Sequence, residues 1–101
     1  MQATTLRTSG NGRLVVVVLG LDPEQTQDES ARWRALGAVV MRTRDADGCL
    51  RVATSVRPDV VVLDRGVPQR LVQLLKAHPI STNAQIQWMP ALGAGAEYRA
   101  A

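Results

Sequence analysis

The sequence predicts an α/β domain in which helices cover both faces of a parallel sheet. Residues 14–19 and 59–63 include apolar, valine-rich runs with the length and composition of strands buried on both faces. Candidate strands start about every two dozen residues, with a helical segment between successive strands. Such βαβ units pair in parallel through right-handed crossovers. A doubly wound, three-layer sandwich of about four strands is therefore expected.

The first strand, residues 14–19, leads into a helix with clear start signals. Asp22 can cap the helix, and Pro23 suits its first turn. Gly37 is expected to end the helix, because glycine readily adopts the backbone conformation found just past a helix end. Residues 38–42 form the second strand candidate.

The middle of the chain contains the central strand and its aspartate. A turn over residues 44–48 precedes a helix over residues 49–56, and Arg57-Pro58 ends that helix. The third strand, residues 59–63, stops at Asp64. In an open α/β sheet, a residue just past the carboxyl end of a central strand faces the binding crevice. Asp64 is therefore the candidate site residue.

The last predicted elements are a helix and a short strand. Residues 69–78 have leucines at helical spacing, and Pro79 ends the helix. Residues 86–89 form the fourth strand. The predicted organisation is a flexible tail over residues 1–12, one domain over residues 13–90, and a tail or short helix over residues 91–101.

Composition argues against several function classes. No apolar run approaches the ~20 residues of a membrane span, and no signal peptide is recognisable. The lone Cys49 fits a reducing compartment, so a cytoplasmic location is expected. The net charge of +3 is modest, and the arginines are not interleaved with stacking aromatics, which argues against nucleic-acid binding. No pattern of His and Cys suits zinc.

Three strings in order resemble the receiver domain of bacterial two-component response regulators: residues 36–48, 46–68 and 70–79. The resemblance implies a flavodoxin-like fold with strand order 2-1-3-4-5. It also implies that Asp64 matches the phosphoacceptor. By the same resemblance, Gly66 matches the loop position whose carbonyl helps to hold magnesium, and Asp22 lies near that pocket.

The chain departs from the receiver pattern at the positions that hold magnesium and contact the phosphoryl group in that family. Gly20 and Leu21 stand where the family has an acidic pair, which leaves Asp22 as the nearest acid. A hard cation needs several oxygen ligands, so one carboxylate beside Asp64 is a poor magnesium site. The family's hydroxyl residue after strand four has no counterpart in residues 88–91, and the sole lysine, Lys76, lies on a helix. We expect a pseudo-receiver with no cofactor, no bound metal and no enzymatic activity.

Two alternatives stay open. One is a working single-domain response regulator phosphorylated on Asp64; the other is a small α/β protein that binds nucleic acid or a ligand. A dinucleotide enzyme is disfavoured, because the glycines of residues 10–12 precede the first strand. The acids Asp22 and Glu24 in the loop after that strand would also repel an anion.

The fourth predicted strand would lie at a bare edge of the sheet. Exposed strand edges and apolar surfaces attract partners. We expect a protein–protein interface here, most simply with a second copy of the chain. Its predicted residues are Ile86, Trp88, Met89 and Tyr98.

Overall fold

The structure, a computed structural model, describes residues 13–89. Its strands and helices alternate along the chain: β1 Val15–Leu19, α1 Pro23–Ala35, β2 Val39–Thr43, α2 Ala46–Val56, β3 Val60–Leu63, α3 Gln69–Ala77 and β4 Gln85–Trp88. The strands form one sheet in the order β2-β1-β3-β4, and every neighbouring pair is parallel. The predicted doubly wound α/β class is confirmed. The predicted tails, residues 1–12 and 91–101, lie outside the described residues.

Each face of the sheet has its own buried cluster. Val17 and Leu19 of β1 pack on one face with residues of α2 and α3. Val16 and Val18 pack on the opposite face with Trp33 of α1. This alternation follows from the two-residue period of a strand. Because β1 and β3 are buried on both faces, they read in the sequence as continuous apolar runs.

The helix ends follow local capping chemistry. Gly37 has φ +89°, as expected of a residue that lets the chain turn just past a helix. The predicted start of α2 at residue 49 is wrong, because the helix begins at Ala46. Asp45 caps it, accepting a 2.7 Å hydrogen bond from the Gly48 backbone N–H. Asp45, Asp47 and Gly48, which suggest a turn in the sequence, therefore form the cap and the first turn of α2.

No helix in residues 13–89 is long and apolar enough to cross a membrane. Both outer strands pair with a single neighbour among these residues. In β4, Gln85 and Trp88 are exposed while Ile86 and Gln87 are half-buried. The β4 edge therefore combines two glutamines with one exposed aromatic residue.

Cys49 is fully buried in the cluster beneath α2. Burial raises the pKa of its thiol from 9.0 to about 11, although a hydrogen bond with Thr43 lowers it in part. Between these two pH values the unfolded chain releases a proton that the folded chain keeps, so rising pH favours unfolding. This location makes Cys49 a packing residue.

We expect the free energy of unfolding to fall by about 1–2 kcal/mol between about pH 9 and pH 11 because of Cys49. Urea denaturation of the wild type and of Cys49→Ala at both ends of that range measures the effect. Comparison with the variant removes the contributions of other groups that titrate in this pH range. An equal pH dependence in both proteins would show that the thiol ionises as readily in the folded state as in the unfolded one.

Candidate functional site

The carboxyl edge of the sheet brings three residues into one row. Leu19, Leu63 and Trp88 end their strands in register with one another. The residues that follow them, Gly20, Asp64 and Met89, therefore lie side by side. Backbone hydrogen bonds continue the pairing, since Met89 N donates to Leu63 O at 2.8 Å. The sequence prediction that Asp64 ends a central strand agrees with this position.

The Asp64 carboxylate is held by two backbone N–H groups from different loops. Leu21 N donates to Oδ2 at 3.1 Å, and Gly66 N donates to Oδ1 at 3.0 Å. The side chain is half-buried. Charge-assisted hydrogen bonds of this type are stronger than neutral ones. Asp64 therefore ties the loop after β1 to the loop after β3.

Asp22, expected by resemblance to lie near the pocket, is engaged at the start of α1. Its Oδ2 accepts a 2.7 Å hydrogen bond from Gln25 N, the usual geometry of an N-cap. Its backbone carbonyl accepts bonds from both the N–H and the hydroxyl of Thr26. The carboxylate therefore caps the helix.

Gly20 stands at a position where no side chain fits. A Cβ atom there would lie 1.8 Å from Thr26 Oγ1 and 3.1 Å from Met89 Cε. Thr26 is itself buried, and its hydroxyl is tied to Asp22 O at 2.6 Å. The first turn of α1 is therefore packed against bare backbone at the end of β1. Sequence reasoning identified the missing acid but not this packing, which depends on the relative placement of two elements.

The residues around Asp64 do not fit a magnesium ion. The two neighbouring positions after β1 are Gly20 and Leu21, which bring no side-chain oxygen. Within residues 13–89 there is no cluster of three or more His, Cys, Asp or Glu side chains that could hold a metal. The backbone N–H of Gly66 donates to Asp64 Oδ1 at 3.0 Å. A magnesium site of receiver type would need further oxygen ligands.

The end of β4 differs from the predicted interaction surface. Met89 is 1% exposed, so its placement on a surface is wrong. Arg65, from the loop after β3, donates from Nε to Met89 O at 3.1 Å, a contact that the sequence did not indicate. Ile86 is half-buried against the α2–α3 cluster, whereas Trp88 is 42% exposed. Tyr98 lies outside the described residues.

Comparison with known proteins gives a structural match only. No protein-family profile matches the chain, and no curated protein matches its sequence. A similar solved structure is the crystal structure of the N-terminal domain of a response regulator receiver protein from Methanoculleus marisnigri JR1. It superimposes with a TM-score of 0.65 at 16% sequence identity, covering 84% of this chain and 76% of that chain. The chain therefore has the flavodoxin-like fold of a receiver domain.

Proposed function

We propose that this chain is a receiver-fold signalling module that acts through protein–protein contact, without phosphorylation of Asp64. The proposal rests chiefly on one observation. Both oxygens of the Asp64 carboxylate accept backbone hydrogen bonds, from Leu21 and from Gly66.

A phosphoacceptor carboxylate has to present an oxygen to phosphorus while a divalent cation shields the accumulated negative charge. Here the bonds to Leu21 and Gly66 stabilise the charge of Asp64 and direct its lone pairs toward the backbone. Each oxygen keeps a second lone pair, but its hydrogen bond makes it a weaker nucleophile, and no metal site beside it compensates. The hydrogen bonds that hold the two loops together therefore also disfavour phosphorylation of Asp64.

The neighbouring positions support the same function. Gly20 has no room for a carboxylate, because Thr26 fills the space that a side chain would need. On the other side of Asp64 is Met89, a buried apolar residue where a hydroxyl would be required by resemblance. An aliphatic neighbour cannot donate a hydrogen bond to a phosphoryl oxygen. The packing at the carboxyl edge of the sheet therefore favours a structural role for Asp64 over a phosphoacceptor role.

The first test of this proposal uses beryllofluoride with magnesium, which mimics a phosphoryl group on a carboxylate. We expect the amide NMR signals of Leu21, Asp64 and Gly66 to stay unchanged, since the carboxylate has no metal site beside it. Intact mass after incubation with acetyl phosphate should likewise stay unchanged. The control is Asp64→Asn, which lacks the acceptor. A magnesium-dependent shift or added phosphoryl mass in the wild type that vanishes in Asp64→Asn would establish a working phosphoacceptor instead.

The proposed contact is with a second copy of the chain, through the β4 edge and Trp88. Trp88, the last residue of β4, is 42% exposed. Among the described residues, β4 pairs with another strand on one side only. Large aromatic residues at such positions commonly dominate binding energy. A two-fold pairing of β4 edges would bury this side chain and satisfy backbone groups together.

Trp88→Ala should weaken self-association by about tenfold or more, the loss expected when an interface aromatic is truncated. Sedimentation equilibrium of both proteins over a range of concentrations measures it. Leu36→Ala is the matched control, because Leu36 is an apolar residue that is 65% exposed beyond the end of α1. A wild-type protein that stays monomeric throughout, or equal weakening by both substitutions, would contradict this interface.

A further inference from the structure

We propose that a pocket between the start of α1 and the end of β2 binds a phosphorylated small molecule. The pocket has a volume of about 620 Å³ and opens at the carboxyl edge of the sheet. Ligands in open α/β sheets bind at this edge. The residues that line it and carry the argument are Leu21, Pro23, Thr26, Arg42, Thr43 and Arg44.

Two arginines give the pocket its charge. Arg42 lies on β2 in register with Val18, so the strand period directs it toward the face covered by α1. Arg44 follows the end of β2 and lines the same pocket. Both side chains are exposed, and neither has a counter-ion within residues 13–89. No acidic residue lines the pocket. Its lining therefore carries two positive charges and no negative one.

The acids of the neighbouring loop do not cancel this charge at close range. Asp22 and Glu24 were expected to repel an anion here, yet neither lines the pocket. The Asp22 carboxylate is turned onto the α1 backbone, where it accepts the bond from Gln25 N. The sequence placed these acids near the end of β1 correctly but could not indicate the direction of the Asp22 side chain.

The hydroxyl groups of the pocket already donate to backbone carbonyls, so the two guanidinium groups remain available as donors to a ligand. The hydroxyl of Thr26 donates to Asp22 O, and that of Thr43 donates to Val18 O at 3.0 Å. Guanidinium groups bind phosphate through paired, planar hydrogen bonds, which favours a ligand with several charged oxygens. A phosphate or pyrophosphate group meets this requirement.

The pocket is larger than an isolated phosphate needs. Its volume falls within the range of about 300–1,000 Å³ that is typical of sites for organic ligands. Leu21, which is 56% exposed, and Pro23 supply an apolar wall opposite the arginines. This combination suits a phosphate attached to an organic group of nucleotide size. Asp64 does not line the pocket, so this inference does not depend on whether Asp64 is phosphorylated.

The test is an amide NMR titration of the full chain with pyrophosphate, with ADP and with adenosine. We expect saturable shifts at Leu21, Thr26 and Arg44 with pyrophosphate and ADP, none with adenosine, and weaker binding as salt concentration rises. ADP binding more tightly than pyrophosphate would assign the apolar wall to the nucleoside. Equal affinities would assign recognition to the phosphates alone.

Arg42→Gln and Arg44→Gln should each raise the dissociation constant by about tenfold, as expected for loss of one charged contact. The control is Arg51→Gln, because Arg51 is an exposed arginine on α2, which packs on the opposite face of the sheet. It should leave the affinity unchanged. Absence of saturable shifts up to about 10 mM pyrophosphate, or equal weakening by all three substitutions, would overturn the proposal.

Discussion

Replacing Gly20 with aspartate should destabilise the protein by about 3 kcal/mol and should not create a magnesium site. Any Cβ at this position meets Thr26 Oγ1 at 1.8 Å and Thr26 Cβ at 2.8 Å. Thr26 cannot simply move away, because its hydroxyl and its backbone N–H both bond to Asp22 O. The start of α1 would have to shift as a unit.

Urea denaturation measures this loss, and magnesium titration of the folded fraction checks for metal binding. Gly20→Ala should cost nearly as much as Gly20→Asp, because the first side-chain atom already produces the clash. Gly48→Ala is the matched control: its Cβ meets only the side chain of Asp45, and alanine favours the helix. A Gly20→Asp protein as stable as the wild type would contradict the packing described here.

A double-mutant cycle separates the clash from other effects of the substitution. Thr26→Ala removes the closest atom, so the loss caused by Gly20→Ala should be smaller in the Thr26→Ala background. We expect a coupling free energy of about 1 kcal/mol, limited by the Cβ atom that Thr26→Ala retains. Additive losses would show that the two residues do not oppose each other directly.

This contact also marks the limit of prediction from the sequence. The order of strands and helices follows from apolar runs, spacing and boundary residues, all of which are local properties. For the same reason, Asp22 as a helix cap and Asp64 at a strand end could be predicted. The need for glycine at position 20 could not, because it arises where α1 crosses β1 and where Met89 reaches over from β4.

The errors have a similar physical origin. Residues 44–48 contain aspartates and glycine, which favour a turn, but the same residue types also begin helices, and Asp45 does so here. Met89 was expected at a surface because it belongs to the predicted edge strand over residues 86–89. Its side chain instead belongs to the cluster with Val60 and Val62, and so it is buried. Side-chain direction just past a strand end depends on neighbouring elements.

Asp64→Ala should lower the free energy of unfolding by about 1–2 kcal/mol, and Asp64→Asn by roughly half as much, because both hydrogen bonds are exposed and water partly replaces the lost acceptor. Alanine leaves the N–H groups of Leu21 and Gly66 without their acceptor. Asparagine keeps one carbonyl oxygen but loses the charge and directs an amide group at the other donor. Faster hydrogen exchange at Leu21 and Gly66 should accompany the loss.

The sign of this stability change tests whether backbone N–H donors or neighbouring carboxylates dominate the surroundings of Asp64. An aspartate crowded by other carboxylates is destabilised by like-charge repulsion, so neutralising it raises stability. An aspartate surrounded by N–H donors is stabilised as an anion, so neutralising it lowers stability. Asp28→Asn, an exposed carboxylate on α1, is the control and should change stability little. A more stable Asp64→Asn protein would contradict the hydrogen bonds described here, whereas the expected loss would identify Asp64 as the residue that holds the two loops together.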